Sequence, residues 1–223
     1  MNSAKETKNI ALAGIAGAVT YAIADLFLYV GTDMFSANKL SLWQVPVWRL
    51  MASMWIAAIG SLLMLMGYSA LYKMLRSAFG KAGYILILPS LICFGGIMYM
   101  HFVLGVYEPL TYNSAMKAGV TVEQFKIMAD TAKAALDPMM IVMILLGYST
   151  DVILLIGFLS GRLGLKKRIV LFEIGGYAVL VLMFILVAKL IGDWGITGSL
   201  ESLLETTFFI PAYLYWRKAE KAA

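Results

Sequence analysis

Six apolar stretches, each long enough to cross a bilayer as a helix, run almost end to end through the chain. A helix rises about 1.5 Å per residue, so about 20 apolar residues span about 30 Å of hydrocarbon. The stretches cover residues 10–31, 47–71, 83–107, 138–160, 169–191 and 199–216. They leave too little chain for a soluble domain. Of the 223 residues, 61% are apolar and 14% charged, well outside soluble composition. The expected fold is all-α: a polytopic six-helix bundle forming one transmembrane domain over residues 1–223.

Charge placement gives the orientation. Twelve of the 18 Lys and Arg residues fall on one side of such a bundle. They are Lys5 and Lys8, then Lys73, Arg76 and Lys81, then Arg162, Lys166, Lys167 and Arg168, then Arg217, Lys218 and Lys221. Lys39, Arg49, Lys117, Lys126 and Lys133 fall on the other side, and Lys189 lies at a helix end. By the positive-inside rule both termini are cytoplasmic. Six spans return the chain to its starting side, in agreement. The net charge of +5 is therefore a topology signal and calls for no nucleic acid. The first span is too long for a signal-peptide core, contains Asp25 and lacks a small-residue cleavage pattern, so it reads as a permanent helix.

The longest outer loop precedes the fourth span. Thr121-Val-Glu-Gln124 has the form of a capping box, in which the Thr hydroxyl and Gln side chain each satisfy a backbone donor. Val122, Phe125, Met128, Ala129, Ala132 and Leu136 follow at helical spacing, predicting an outer amphipathic helix over 121–136. Asp137-Pro138 then predicts a fresh helix start, Asp as cap and Pro at the first position. Gly157 with Gly161, Gly95-Gly96 and Gly175-Gly176 suit close helix packing. Trp43, Trp48, Trp194 and Trp216 lie where an interfacial belt would.

Ionisable residues inside these spans are costly and call for partners. They sort into two depths. Tyr21, Asp25 and Tyr29, four apart, form one stripe in the outer half of the first span. His101 lies in the outer half of the third, with Glu108 seven residues on and on roughly the same face. Glu201 and Glu205 stack in the outer half of the sixth, beside Ser202. Arg49 opens the second span, where the helix dipole disfavours a cation, so a nearby acid is expected. Asp25 is the first candidate partner and Glu205 the second. Together these residues predict an outward-facing ligand-binding pocket. A second, inner level comprises Asp151 and Glu173, with Tyr148 and Tyr177 on their faces, and forms a candidate proton or cation site.

Known chemistries are poorly matched. One His and no His-rich spacing argue against a zinc hydrolase, and no metal is assigned. There is no nucleophile elbow, aspartyl-protease motif or phosphate loop, and no pattern that asks for a cofactor. Lys189 alone does not make a retinal site in a six-helix chain. Gly14-Ile-Ala-Gly17, Ile23-Ala-Asp-Leu-Phe-Leu-Tyr29, Arg49-Leu50 and His101 resemble an uncharacterised bacterial family of six-helix membrane proteins. That resemblance implies a bacterial inner-membrane protein whose polar residues line a common interior, and it implies no activity.

The expected function is binding or transport of a small molecule or ion, among membrane lipids. One alternative is an intramembrane enzyme acting on a lipid, with His101 as acid/base and Glu205 or Asp25 as its partner. Another is a scaffold in which the charges only hold helices together.

Overall fold

The computed structural model describes the backbone of residues 3–32, 40–165, 168–192 and 194–222. Within these, the side chains at 136, 137, 140, 144, 147, 148, 168–178, 180, 194, 197, 198 and 201 are not described. All regular structure among the described residues is helical.

Helix α1 (Ala4–Tyr29) opens with a capping box, Glu6 N donating to Ser3 Oγ while Ser3 N donates to the Glu6 carboxylate. After the single turn α2 (Leu40–Trp43), α3 (Val47–Phe79) runs back antiparallel to α1. The third rod is composite. A one-turn α4 (Gly83–Leu86) leads into α5 (Leu88–Tyr99), a π-helical stretch (Met100–Tyr107) and α6 (Glu108–Lys117). Helices α7 (Val122–Leu159) and α8 (Arg168–Ile191) follow, then a 3-10 turn (Trp194–Ser199), short α9 (Leu200–Leu204) and α10 (Thr206–Ala222).

The centre of the molecule is the α1–α3 crossing, where small residues let two backbones touch. A Cβ on Gly14 would fall 2.5 Å from Gly67 Cα, and one on Gly17 would fall 2.6 Å from Met64 N. Phe209 of α10, fully buried, packs its ring against the same crossing. In lipid there is little hydrophobic drive between apolar helices, so such van der Waals contact carries the association. The outward faces are apolar in turn: Trp55, Leu62, Ile85, Leu145 and Leu190 are all well exposed. Solvent water would penalise that surface, whereas hydrocarbon would not.

Both terminal helices meet at one end. Lys8 Nζ lies 2.7 Å from Glu220 Oε2, and Lys218 Nζ donates to Gly164 O in the turn between α7 and α8. Among the described residues, three helical stretches are long and apolar enough to cross a membrane, at Ala4–Tyr29, Val47–Leu86 (which takes in α4) and Leu88–Lys117.

Several local expectations change. Thr121 and Gln124 do form a capping box, but the helix they open continues without a break to Leu159. The amphipathic segment and the fourth apolar stretch are one helix, with Pro138 inside it rather than at a start. A proline costs a helix one N–H bond and some straightness, and a long helix tolerates that loss. Gly161 is a turn residue with φ +73°, and neither it nor Gly95 meets a neighbour, so only Gly157 and Gly96 of those pairs pack closely. Gly175 and Gly176 lie outside the residues whose surroundings are described. Trp43 is buried, stacked on Tyr112 and donating to Glu108 Oε1 at 2.7 Å, so it is a packing residue rather than a belt residue.

Candidate functional site

The polar centre forms where α1, α3, the third rod and α9 converge. His101 Nδ1 lies 2.6 Å from Asp25 Oδ1, and His101 Nε2 lies 3.0 Å from Ser53 Oγ. Ser202 donates to the other carboxylate oxygen, Asp25 Oδ2, at 2.5 Å. Ser53 Oγ is also 2.8 Å from the carbonyl of Ala24, one residue before Asp25. Tyr21 meets the imidazole edge-on with ring centroids 4.9 Å apart, and its hydroxyl reaches Ile97 O at 3.4 Å. Asp25, Ser53, His101 and Ser202 are each 3% exposed or less, so this hydrogen-bonded unit is sealed from its surroundings.

Local distortions place two of its members. The π-helical stretch begins one residue before His101. Pro109, further along, has no N–H, and its ring would strike the Gly105 carbonyl in a regular α-turn, which the wider turn relieves. Such π-segments are frequent at functional sites. On the other side Glu205 is a single turn residue between α9 and α10, still with helical angles (φ −57°, ψ −20°) but with backbone bonds that span three residues, and residues three apart here face different helices. Ser202 faces Asp25, while Glu205 accepts a short hydrogen bond from Tyr68 of α3 and a 3.8 Å contact from Cys93 Sγ. Glu205 is itself 3% exposed. Among the described residues, Tyr99 Oη alone is a buried side-chain polar atom without a partner.

Of the expected outer-pocket residues, Asp25, His101 and Tyr21 come together, and Glu205 lies on the same corner as Ser202. Tyr29 packs instead with Leu28, Leu42, Val45, Leu50 and Val106. The expected Asp25–Arg49 pair does not form. Arg49 Nε donates to Phe27 O at 2.8 Å and its Nη2 to Val30 O at 2.6 Å. Those carbonyls lie at the C-terminal end of α1, where the helix leaves acceptors unpaired and carries partial negative charge. A guanidinium fork answers both, so Arg49 needs no carboxylate. Glu108 accepts from Trp43, while His101 takes its partners from Asp25 and Ser53. At the expected inner level, Asp151 Oδ1 is 3.4 Å from Thr207 Oγ1. The side chains of Glu173, Tyr148, Tyr177 and Glu201 lie outside the described residues, as does Asp137's.

Ser53 and Tyr68 are the members that sequence patterning misses. Each lies on the buried stripe of α3 that also carries Leu50, Ala57, Gly60, Met64 and Gly67. A serine among small packing residues looks like one more small residue until the facing helix presents an imidazole. No group of three or more His, Cys, Asp or Glu side chains able to hold a metal occurs among the described residues.

An all-α architecture, apolar outside and polar at a sealed centre, with three rods of membrane-crossing length among the described residues, points to the class: a helical protein associated with a membrane. Within that class the chain belongs to a family of unknown function, DUF6796, whose model matches residues 1–219. No curated protein and no solved structure matches it.

Proposed function

We propose that this chain is a multi-pass protein of a bacterial inner membrane, with six spans and both termini in the cytoplasm, that binds a small ligand or ion at its polar centre and carries it across. The observation that carries this reading is the buried Asp25–His101 pair, at 2.6 Å, with His101 in a π-helical stretch and its neighbour Ser202 just before the α9–α10 turn. Ionisable residues at such depth mark ion and proton pathways in membrane proteins, and broken helices are the usual way to build a site there. The Lys8–Glu220 bridge supports the topology, since an even number of crossings brings both ends to one face. Asp151 beside Thr207, six residues on from Glu201 and toward the end carrying the termini, gives the cargo a second stopping point.

The test is a thermal-stability screen in mild detergent across ions, lipids and metabolites, with wild type beside Asp25→Asn and His101→Ala. Native-state binding raises the melting temperature by mass action. A ligand that raises it for wild type and for neither variant supports the site. No stabilising ligand, with both variants merely melting earlier, overturns the reading in favour of a scaffold.

One observation favours a hydrolase reading: Ser53, His101 and Asp25 lie in the order of a nucleophile, base and orienting acid. Against it, Ser53 is fully buried and its hydroxyl already has the Ala24 carbonyl as an acceptor. Covalent labelling of Ser53 by a fluorophosphonate would establish the enzyme; an unlabelled Ser53 in folded protein excludes an accessible nucleophile.

A further inference from the structure

Proton counting at Ser53 separates two states of the centre. Its hydroxyl has one proton and two acceptors in reach, Ala24 O at 2.8 Å and His101 Nε2 at 3.0 Å. If the proton goes to Ala24 O, then Nε2 must be the donor toward Ser53 Oγ. Nδ1 and Asp25 Oδ1, 2.6 Å apart, then need a second proton between them. Whether that proton sits on nitrogen or oxygen, the pair is neutral overall. If instead Ser53 donates to Nε2, that nitrogen is bare, Nδ1–H donates to the Asp25 carboxylate, and the pair carries one negative charge. Ser202 donates to Asp25 Oδ2 in both states. The two states differ by one proton and a rotation of one hydroxyl. Neither loses a hydrogen bond at the imidazole or the carboxylate, and no heavy atom need move.

A metal cation fits this centre poorly. Hard cations take six or so oxygen ligands, whereas both Asp25 oxygens are already engaged at 2.6 and 2.5 Å. No metal-holding cluster occurs among the described residues.

We propose that the ion taken by this site is the proton, stored by the Asp25–His101 pair, with Ser53 turning its hydroxyl between Ala24 O and His101 Nε2 as the proton leaves and arrives. The inference rests on the ligand- or ion-carrying reading above and names the ion. On release, His101 Nε2 gives up its proton to water that reaches the pair only when the sealed centre opens, Ser53 O–H turns from Ala24 O to the freed lone pair, and the pair passes from neutral to singly negative. Ser53 acts through His101 and is a positioning residue. Among the described residues, the titratable or charged groups carried by the elements packed against the pair include Tyr21 and Tyr29 on α1, Arg49 and Tyr68 on α3, Cys93 and Tyr99 on α5 and Glu205 at the α9–α10 corner. Arg49 is committed to backbone carbonyls, and Glu205 is joined to Tyr68 and Cys93.

The chain has one histidine, so selective ¹⁵N-histidine labelling reads this site alone. The full chain, purified on a histidine-free tag into lipid nanodiscs, is followed by NMR across the pH range in which it stays folded. The expected result is that Nε2 is protonated at the acid end and bare at the alkaline end, while Nδ1 keeps a proton at the alkaline end. Asp25→Asn should abolish that change. Glu205→Gln and Glu201→Gln should keep it, which assigns it to Asp25 and His101. Replacing sodium by potassium should leave it unmoved. An Nε2 signal that stays fixed across the range in folded wild type overturns the proton assignment, even if a ligand raises the melting temperature. If the Nε2 change is seen while no ligand stabilises the protein and no flux is found, the transport reading falls instead.

Discussion

His101 Nδ1 and Asp25 Oδ1, 76 positions apart in the chain, lie 2.6 Å apart and join the third helical rod to the first. Neither side chain has water to fall back on, because each is 3% exposed or less. Each therefore depends on the other for its hydrogen bonding, and their energies cannot be independent.

Asp25→Asn and His101→Ala should each lower stability by about 1–2 kcal/mol, the scale of a buried interhelical hydrogen bond in a membrane protein. The double variant should cost little more than the larger single loss, since either change already breaks the contact. Melting or denaturant titration in mild detergent measures all three.

Arg49 gives the opposite pattern. Its two bonds go to Phe27 O and Val30 O, so Arg49→Ala and Asp25→Asn should add within about 0.5 kcal/mol. Arg49→Lys should also be destabilised, because an ammonium cannot reproduce the fork. Strong coupling between the two sites would restore the ion pair that the sequence suggested.

At the α1–α3 crossing, Gly67→Leu should be far more damaging than a like change at an open glycine. A Cβ at Gly67 would fall 2.5 Å from Gly14 Cα and 2.8 Å from the Phe209 ring, and backbone cannot yield as a side chain can. Overpacking of this kind costs about 1–3 kcal/mol or more. Gly95, with nothing in reach, serves as the control. Thermal melting of the two variants should separate them clearly.

The terminal bridge offers a geometric test. Lys8→Cys with Glu220→Cys should be joined by a bifunctional thiol reagent whose arm matches the Lys–Glu span in intact membranes, a zero-length disulfide being too short for two long side chains, and reporter fusions to either end should report the cytoplasm. The bridge itself is partly exposed and should contribute at most about 1 kcal/mol, so losing it should leave the fold intact.

The all-helical character and three rods of membrane-crossing length were legible from apolar length, because such a helix needs little more than composition, whereas the start expected at Pro138 lies inside one long helix. The matching level of two polar residues was legible too: Asp25 and His101 were expected at one depth of their helices, and they meet. Partner choice was not. Arg49 was matched to a carboxylate because the charges invite it, yet helix-end carbonyls, invisible in a residue list, proved the better acceptors. Glu108 was placed on the face of His101 by α-helical spacing, but a π-helical stretch lies between them and turns less per residue. Ser53 carried no signal of its own, since its role exists only against the facing helix.

Reconstituted flux is the most direct measurement of whether the polar centre works or merely holds helices together. Wild type, Asp25→Asn, Asp151→Asn and Arg49→Ala would be placed in liposomes with a trapped pH-sensitive dye, under an imposed proton gradient and with stabilising ligands present. The account predicts that wild type dissipates the gradient and Asp25→Asn does not. Asp151→Asn should alter the rate while keeping ligand stabilisation, and Arg49→Ala, though less stable, should retain flux. Equal flux in wild type and Asp25→Asn, or none in wild type with any ligand, would contradict it.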